Sequence, residues 1–288
     1  MKRRRFVVST VLILTLILTF NFIAHADSAV VVTLAKDLND KQRADILELF
    51  NVKEDEVNII EVNNQEERRY LEGIAPEEQI GNITMSSAYV ELLEAGSGID
   101  VQTFNISWVT EDMYKGALVT AGVKDAKVMA AAPFSVSGTG ALTGIIKAFE
   151  QATGEVIDEE QKRVANEEIV QTGELGEEIG KDKASELINK VKEEVVDKGV
   201  KSPEDIKKII IEIAASLDIN LNDEQLAKLT QLMEKISKLN INTDDIKEQL
   251  KGIGEKLDDV LKDNQEVKSI LQKILDAIKN FFKSIFGK

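Results

Sequence analysis

Apolar and polar positions change their period along this chain near Gly154. Before it, short β-branched runs alternate with stretches of helical spacing; after it, Leu and Ile recur at helical spacing among Lys and Glu, and strand signals disappear. The first part predicts strand, helix, strand twice, over Ala29 to Leu34, Asn39 to Phe50 and Val57 to Val62, then Val101 to Trp108, Thr110 to Ala121 and Lys127 to Ala132. Asn39 and Thr110 stand at N-cap positions, each followed by acidic residues that suit the helix dipole. Laid without gaps, LNDKQRADILELFNVKEDEV (Leu38 to Val57) falls on VTEDMYKGALVTAGVKDAKV (Val109 to Val128), which implies two related β-α-β units sharing a sheet. Between them, Ser86 to Leu93 reads as a strand joined through Gly96-Ser97-Gly98 to the next one, the signals of a hairpin.

The second part predicts helices over Asp158 to Gln171, Lys183 to Asp197, Pro203 to Leu217, Asp223 to Leu239, Asp244 to Leu261 and Gln265 to Phe286. Ser202-Pro203 announces the third, a cap followed by Pro at the first helical position. LDINLND (Leu217 to Asp223) resembles LNINTDD (Leu239 to Asp245); in each an apolar residue inside an Asn/Asp turn is placed to pin one helix to the next. The glycine-rich TGELGEEIGKDK (Thr172 to Lys183) reads as a linker. The expected fold class is therefore an α/β (or α+β) domain over residues 27–154, a helix and linker over 155–182, and an all-α domain over 183–288.

Residues 1–26 stand apart. Lys2, Arg3, Arg4 and Arg5 precede an uncharged run from Phe6 to Ala24 that ends in Ala24-His25-Ala26, the pattern of a secretory signal peptide cut after Ala26. Cleavage removes the single His of a chain that has no Cys. Serine and cysteine triads, His or Cys zinc sites, His- or Cys-ligated haem and iron–sulfur clusters are thereby excluded, and no cofactor or metal is implied. Export without disulfides calls for a core that is stable alone. The net charge of −15 disfavours nucleic acid, whose phosphates demand a positive patch.

What chemistry remains is thin. In PFSVSGTGALTGIIKAFEQATG (Pro133 to Gly154), glycines precede a helix over Ala141 to Ala152. The position that a phosphate-binding loop fills with Lys after its last Gly holds Ile145, so the loop reads first as a strand-to-helix elbow. Amides at Gly138, Thr139 and Gly140 are left as a candidate anion site. Asp218, Asn220 and Asn222 mimic the start of an EF-hand, but Asp223 and Leu229 replace its Gly and Glu. Glu91, Glu94, Asp100, Glu111 and Asp112, near Tyr89, Trp108 and Tyr114, offer carboxylates for a cell-wall hydrolase with a sugar platform; the spacing singles out no catalytic residue. The C-terminal VKSILQKILDAIKNFFKSIFGK reverses the sign of the chain. Lys273, Lys279 and Lys283 lie opposite an apolar stripe that includes Ile274, Ile278, Phe281, Phe282 and Ile285, which suits either an anionic membrane surface or a partner, or else closes the helical part.

APFSVSGTGALTGIIKAFEQATG (Ala132 to Gly154), with the preceding GVKDAKVMAAAP and the secreted, Cys-free context, resembles the DUF1002 family of Firmicutes. The resemblance is best over Ala29 to about Asn166 and continues around LNDEQLAKL and NINTDDIKEQL. It implies an exported cell-envelope protein and carries over no catalytic or binding residues. The expected function is non-enzymatic binding of an envelope component or protein partner, with a carboxylate hydrolase as the alternative.

Overall fold

The structure, a computed structural model, describes residues 29–241 and 243–250. It is a mixed α/β fold on a five-stranded mixed sheet. Strands β1 (Val30–Ala35), β2 (Asn58–Val62), β3 (Ser87–Leu92), β4 (Ile99–Ile106) and β5 (Ala126–Val136) lie in the order β2-β1-β3-β5-β4. The pairs β1/β2 and β4/β5 are parallel; β3 runs antiparallel to both of its neighbours, β1 and β5.

β3 and β4 therefore form no hairpin, contrary to the Gly96-Ser97-Gly98 signal: β5 lies between them. The reason is in its residues. AKVMAAAPFSV is buried on both faces through Val128 to Ala132, so it gains most from a central place, while β4 exposes Asp100 and Gln102 and suits an edge.

Helix α1 (Asp40–Leu49) connects β1 to β2 and is closed by a reciprocal cap: the Gln42 amide donates to Asn39 Oδ1 and the Asn39 amide to Gln42 Oε1, each at 3.0 Å. Its Ile46 and Leu47, with Phe50 just beyond it, pack on Val32, Leu34, Tyr89 and Met129. Helix α4 (Glu111–Ala121), capped by Thr110, connects β4 to β5 and packs its Met113, Ala117 and Leu118 with Val90, Val101 and Val128. Val31 and Val32 alternate in direction, as do Val128 and Met129, so these two helices cover opposite faces of the sheet. Both connections step towards the β2 edge between strands that run the same way. They consequently have opposite hands, and one departs from the strong right-handed preference of such crossovers. Two copies of one unit would share a hand; the similarity between Leu38–Val57 and Val109–Val128 is not matched by equivalent placement.

Between β2 and β3 stand α2 (Asn64–Leu71) and the short α3 (Glu77–Ile80). After β5 come α5 (Ala141–Thr153), α6 (Glu159–Ile179), α7 (Lys181–Asp197), α8 (Pro203–Ser216), α9 (Asp223–Ile236) and α10 (Thr243–Gln249). α5 lies close on β1, where the Thr33 hydroxyl donates to the Gly144 carbonyl at 2.9 Å. The stretch read as a linker is helical as far as Ile179. Gly173 is there because the Trp108 ring fills the space of a side chain, and Gly176 because the backbone of Lys181 approaches it. Only Gly180, at φ +97°, breaks the path, and α7 begins at the next residue. Ala165, Ile169 and Val170 of α6 belong to the core under the sheet, whereas Val164 and Leu175 join a second core with α7, α8 and α9. The two turn residues expected to pin helices do so: Ile219 is buried in this second core and Ile241 packs against both cores.

Candidate functional site

The elbow expected between strand and helix is present, with β5 ending at Val136 and α5 beginning at Ala141. Gly138 has φ +94°, and its carbonyl accepts a hydrogen bond from the buried Tyr114 hydroxyl. Thr139 is buried, and Ser137 and Thr139 donate to the Gln79 carbonyl at 3.1 and 3.2 Å. Beside Gly140 the chain places an anionic group of its own. A methyl on Gly140 would stand 2.5 Å from the carboxyl carbon of Glu67, a side chain only 3% exposed. Burial raises the Glu67 pKa to about 7, and the Asp37 and Glu66 carboxylates push the same way. Gly140→Ala should accordingly destabilise the protein by about 1–3 kcal/mol in urea unfolding. That cost should vanish when Glu67→Ala clears the space; an equal cost in both backgrounds would contradict this contact.

Glu67 belongs to α2, and the same helix builds the wall of an open cleft of about 190 Å³ against α5 and α6. Each helix supplies its face by helical spacing: Glu66, Arg69 and Tyr70 from α2; Thr143, Ile146, Lys147 and Glu150 from α5; Glu159 and Lys162 from α6. Lys147 Nζ meets Glu66 at 2.6 Å and donates to the Glu61 carbonyl at 2.6 Å. Lys162 bridges Glu150 at 2.7 Å and Glu159 at 3.0 Å, and Arg69 reaches Glu159 at 3.0 Å while lying over the Tyr70 ring. The Tyr70 hydroxyl donates to Glu159 Oε2 at 3.1 Å. Burial alone would lower the Lys162 pKa, but its bonds to Glu150 and Glu159 prevail and raise it; the Lys162 bond in turn holds Glu159 below the ordinary range. Three cations and three carboxylates thus face one cavity with no excess of either sign. Thr143, 6% exposed, is one of its lining residues, and its buried Oγ1 has no hydrogen-bond partner.

The carboxylates singled out in sequence do not meet here. Tyr89 donates to Glu91 at 2.8 Å, Glu111 accepts from the Thr103 amide at 3.2 Å, Tyr114 is fully buried, and Trp108 donates to Glu177 at 2.6 Å with its ring against Gly173. Tyr89 and Tyr114 are buried, Trp108 is half-buried, and none of Glu91, Glu94, Asp100, Glu111 and Asp112 lines the cleft. Lys273, Ile274, Ile278, Lys279, Phe281, Phe282, Lys283 and Ile285 lie outside the described residues. Among the described residues no helix is long and apolar enough to cross a membrane.

Helix α2 is what sequence reasoning missed, and with it the cleft. Its signal was Asn63 followed three residues later by Glu66, a reciprocal cap in which the Glu66 amide donates to Asn63 Oδ1 at 3.1 Å and the Asn63 amide to Glu66 Oε2 at 3.0 Å.

Residues 34–253 match the family described as Protein of unknown function (DUF1002). Over 269 residues the chain is 40% identical to the Uncharacterized protein YpuA of Bacillus subtilis (strain 168), a match that covers 92% of this chain and 91% of YpuA. No solved structure matches it. With both similarities extending over most of its length, the chain belongs to the DUF1002 family.

Proposed function

We infer that this is an exported protein that binds a component of the cell envelope without transforming it, and that the cleft between α2, α5 and α6 is where it does so. The observation that carries this reading is the pairing within the cleft. Glu66, Glu150 and Glu159 are each held by a cation at 2.6–3.0 Å, so none of the three stands unpaired in the cleft, while groups of both signs are presented to a ligand. The basic, apolar, small-residue pattern of residues 1–26 supports export, with cleavage after Ala26. The layer over residues 29–154 presents most of the cleft; the helices from Glu159 onward brace it. The stretch Val267 to Lys288 adds a contact with an anionic membrane or a protein partner.

The test is sedimentation of the purified protein with isolated cell walls and, separately, with anionic vesicles. Retention on walls that falls when Lys147 and Arg69 are both replaced by Glu supports the reading, and a protein that stays in the supernatant refutes it. Release of soluble wall fragments would instead favour the carboxylate hydrolase. Deleting Val267 to Lys288 should abolish vesicle binding and leave wall binding in place; vesicle binding by the truncated protein would remove the membrane role from this segment.

A further inference from the structure

The balance of charge in the cleft constrains what it takes. A simple anion entering it would have to separate Lys147 or Arg69 from a carboxylate and leave that carboxylate beside it; a simple cation meets the mirror problem. Unpaired charge at a partly buried site is costly. A molecule with both an ammonium and a carboxylate avoids it, because it exchanges partners at both ends and leaves every charge matched. Lys147 and Glu66 are suited to such an exchange, their side chains being 36% and 35% exposed, whereas Lys162, at 8%, is the fixed member that holds α6 in place. At about 190 Å³ the open cleft is below the roughly 300–1,000 Å³ of sites for drug-sized ligands, so the group it takes in is a small one. Thr143 holds, just beneath the cleft surface, a buried hydroxyl with unused hydrogen-bonding capacity that a rotation about its χ1 brings to a ligand, and Ile146 adds an apolar wall beside it.

We propose that the α2–α5–α6 cleft binds a small zwitterion, an amino acid or dipeptide with a free ammonium and a free carboxylate. This rests on the binding reading above and names the ligand class for that site. The Lys147 and Arg69 side takes the carboxylate, the Glu66 and Glu150 side takes the ammonium, and Thr143 bonds to the backbone of the ligand. A side chain no larger than a few carbons lies against Ile146.

The probe is L-alanyl-L-alanine, titrated into the purified protein by calorimetry, beside its N-acetyl and C-amide derivatives. Saturable binding is expected, weakened about tenfold or more when either end is blocked, since a hydrogen bond to a charged group is lost in each case. Thr143→Val and Lys147→Met should each weaken binding of the unblocked dipeptide by a similar factor, with circular dichroism showing that the fold is kept. Absence of saturable binding, equal binding of the blocked forms, or unchanged binding by both variants would overturn the proposal. Wall sedimentation by the same preparation separates the two levels. Walls bound without the dipeptide reject the zwitterion and leave the envelope reading standing; the dipeptide bound without walls rejects the envelope reading alone.

Discussion

Replacing Glu67 by Gln should stabilise the protein by about 3 kcal/mol above pH 8 and change its stability little below pH 4.5. The carboxyl is 3% exposed, and burial raises its pKa from 4.5 to about 7. Between those values the folded protein holds a proton that the unfolded chain has released, so the contribution of Glu67 to stability is complete at pH 4.5 and is lost as the pH rises through 7. A shift of this size corresponds to about 3 kcal/mol. Gln has nearly the same shape and stays neutral, so the variant escapes the loss while filling the same space beside Gly140. Other titrating groups largely cancel in the difference between the two proteins. Urea unfolding of both at pH 4.5, 6 and 8.5 is the measurement: the expected difference grows across the series, and one that is constant or reversed would place Glu67 in a wetter setting than its position implies. Its location gives the titration a wider consequence, because Glu67 is one residue from Glu66, the partner of Lys147, and ionisation at the elbow adds a like charge beside the cleft.

How far the fold was legible follows from what each residue pattern can encode. Helix caps were legible because they are local: Asn39, Thr110 and Ser202 each accept from a backbone amide three residues later, as their sequence positions suggest. Strand order was not, because hairpin signals describe a turn and say nothing of a third strand inserted from later in the chain. The run of Ala130, Ala131 and Ala132 was the available clue, since small residues buried on both sides let helices approach a central strand closely. The glycines of Thr172 to Lys183 misled for a related reason. Gly173 and Gly176 serve close packing against Trp108 and Lys181, partners distant or out of helical register, and short-range reading takes such residues for a break. The candidate site shows the same division. The elbow was visible from its glycines, but the Glu67 carboxyl that fills its neighbourhood comes from a helix more than sixty residues earlier. The cleft needed three helices to be placed before its nine residues could be seen as one surface.

Removing the Lys192 amine should cost more than any surface change, about 3–5 kcal/mol for Lys192→Met. Lys192 is fully buried on α7, donating to the Gly116 carbonyl of α4 at 2.7 Å and to Glu168 Oε1 of α6 at 2.6 Å. Glu168, 2% exposed, also accepts from the Thr120 hydroxyl, so one ion pair ties three helices together. Gly116 keeps the space open: a methyl there would lie 2.6 Å from Asn189 Oδ1 and 3.1 Å from Glu168 Oε1. Burial pulls the Lys192 pKa below the ordinary lysine value, and Glu168 restores it only in part, which marks how strongly the ammonium is desolvated. Losing the amine leaves the buried Glu168 carboxyl with Thr120 as its remaining side-chain donor. Losing both charges does not: in Lys192→Met with Glu168→Gln the Thr120 hydroxyl keeps an acceptor and no charge is stranded, so the double variant should be more stable than Lys192→Met alone. Urea midpoints of the two single variants and the double variant give the coupling, expected at about 2 kcal/mol or more. Additive effects would mean that each charge is satisfied independently of the other. Coupling of the expected size would place the pair at the seam where α6 passes from the core under the sheet to the core of α7, α8 and α9, so that the two cores unfold together only while it is intact.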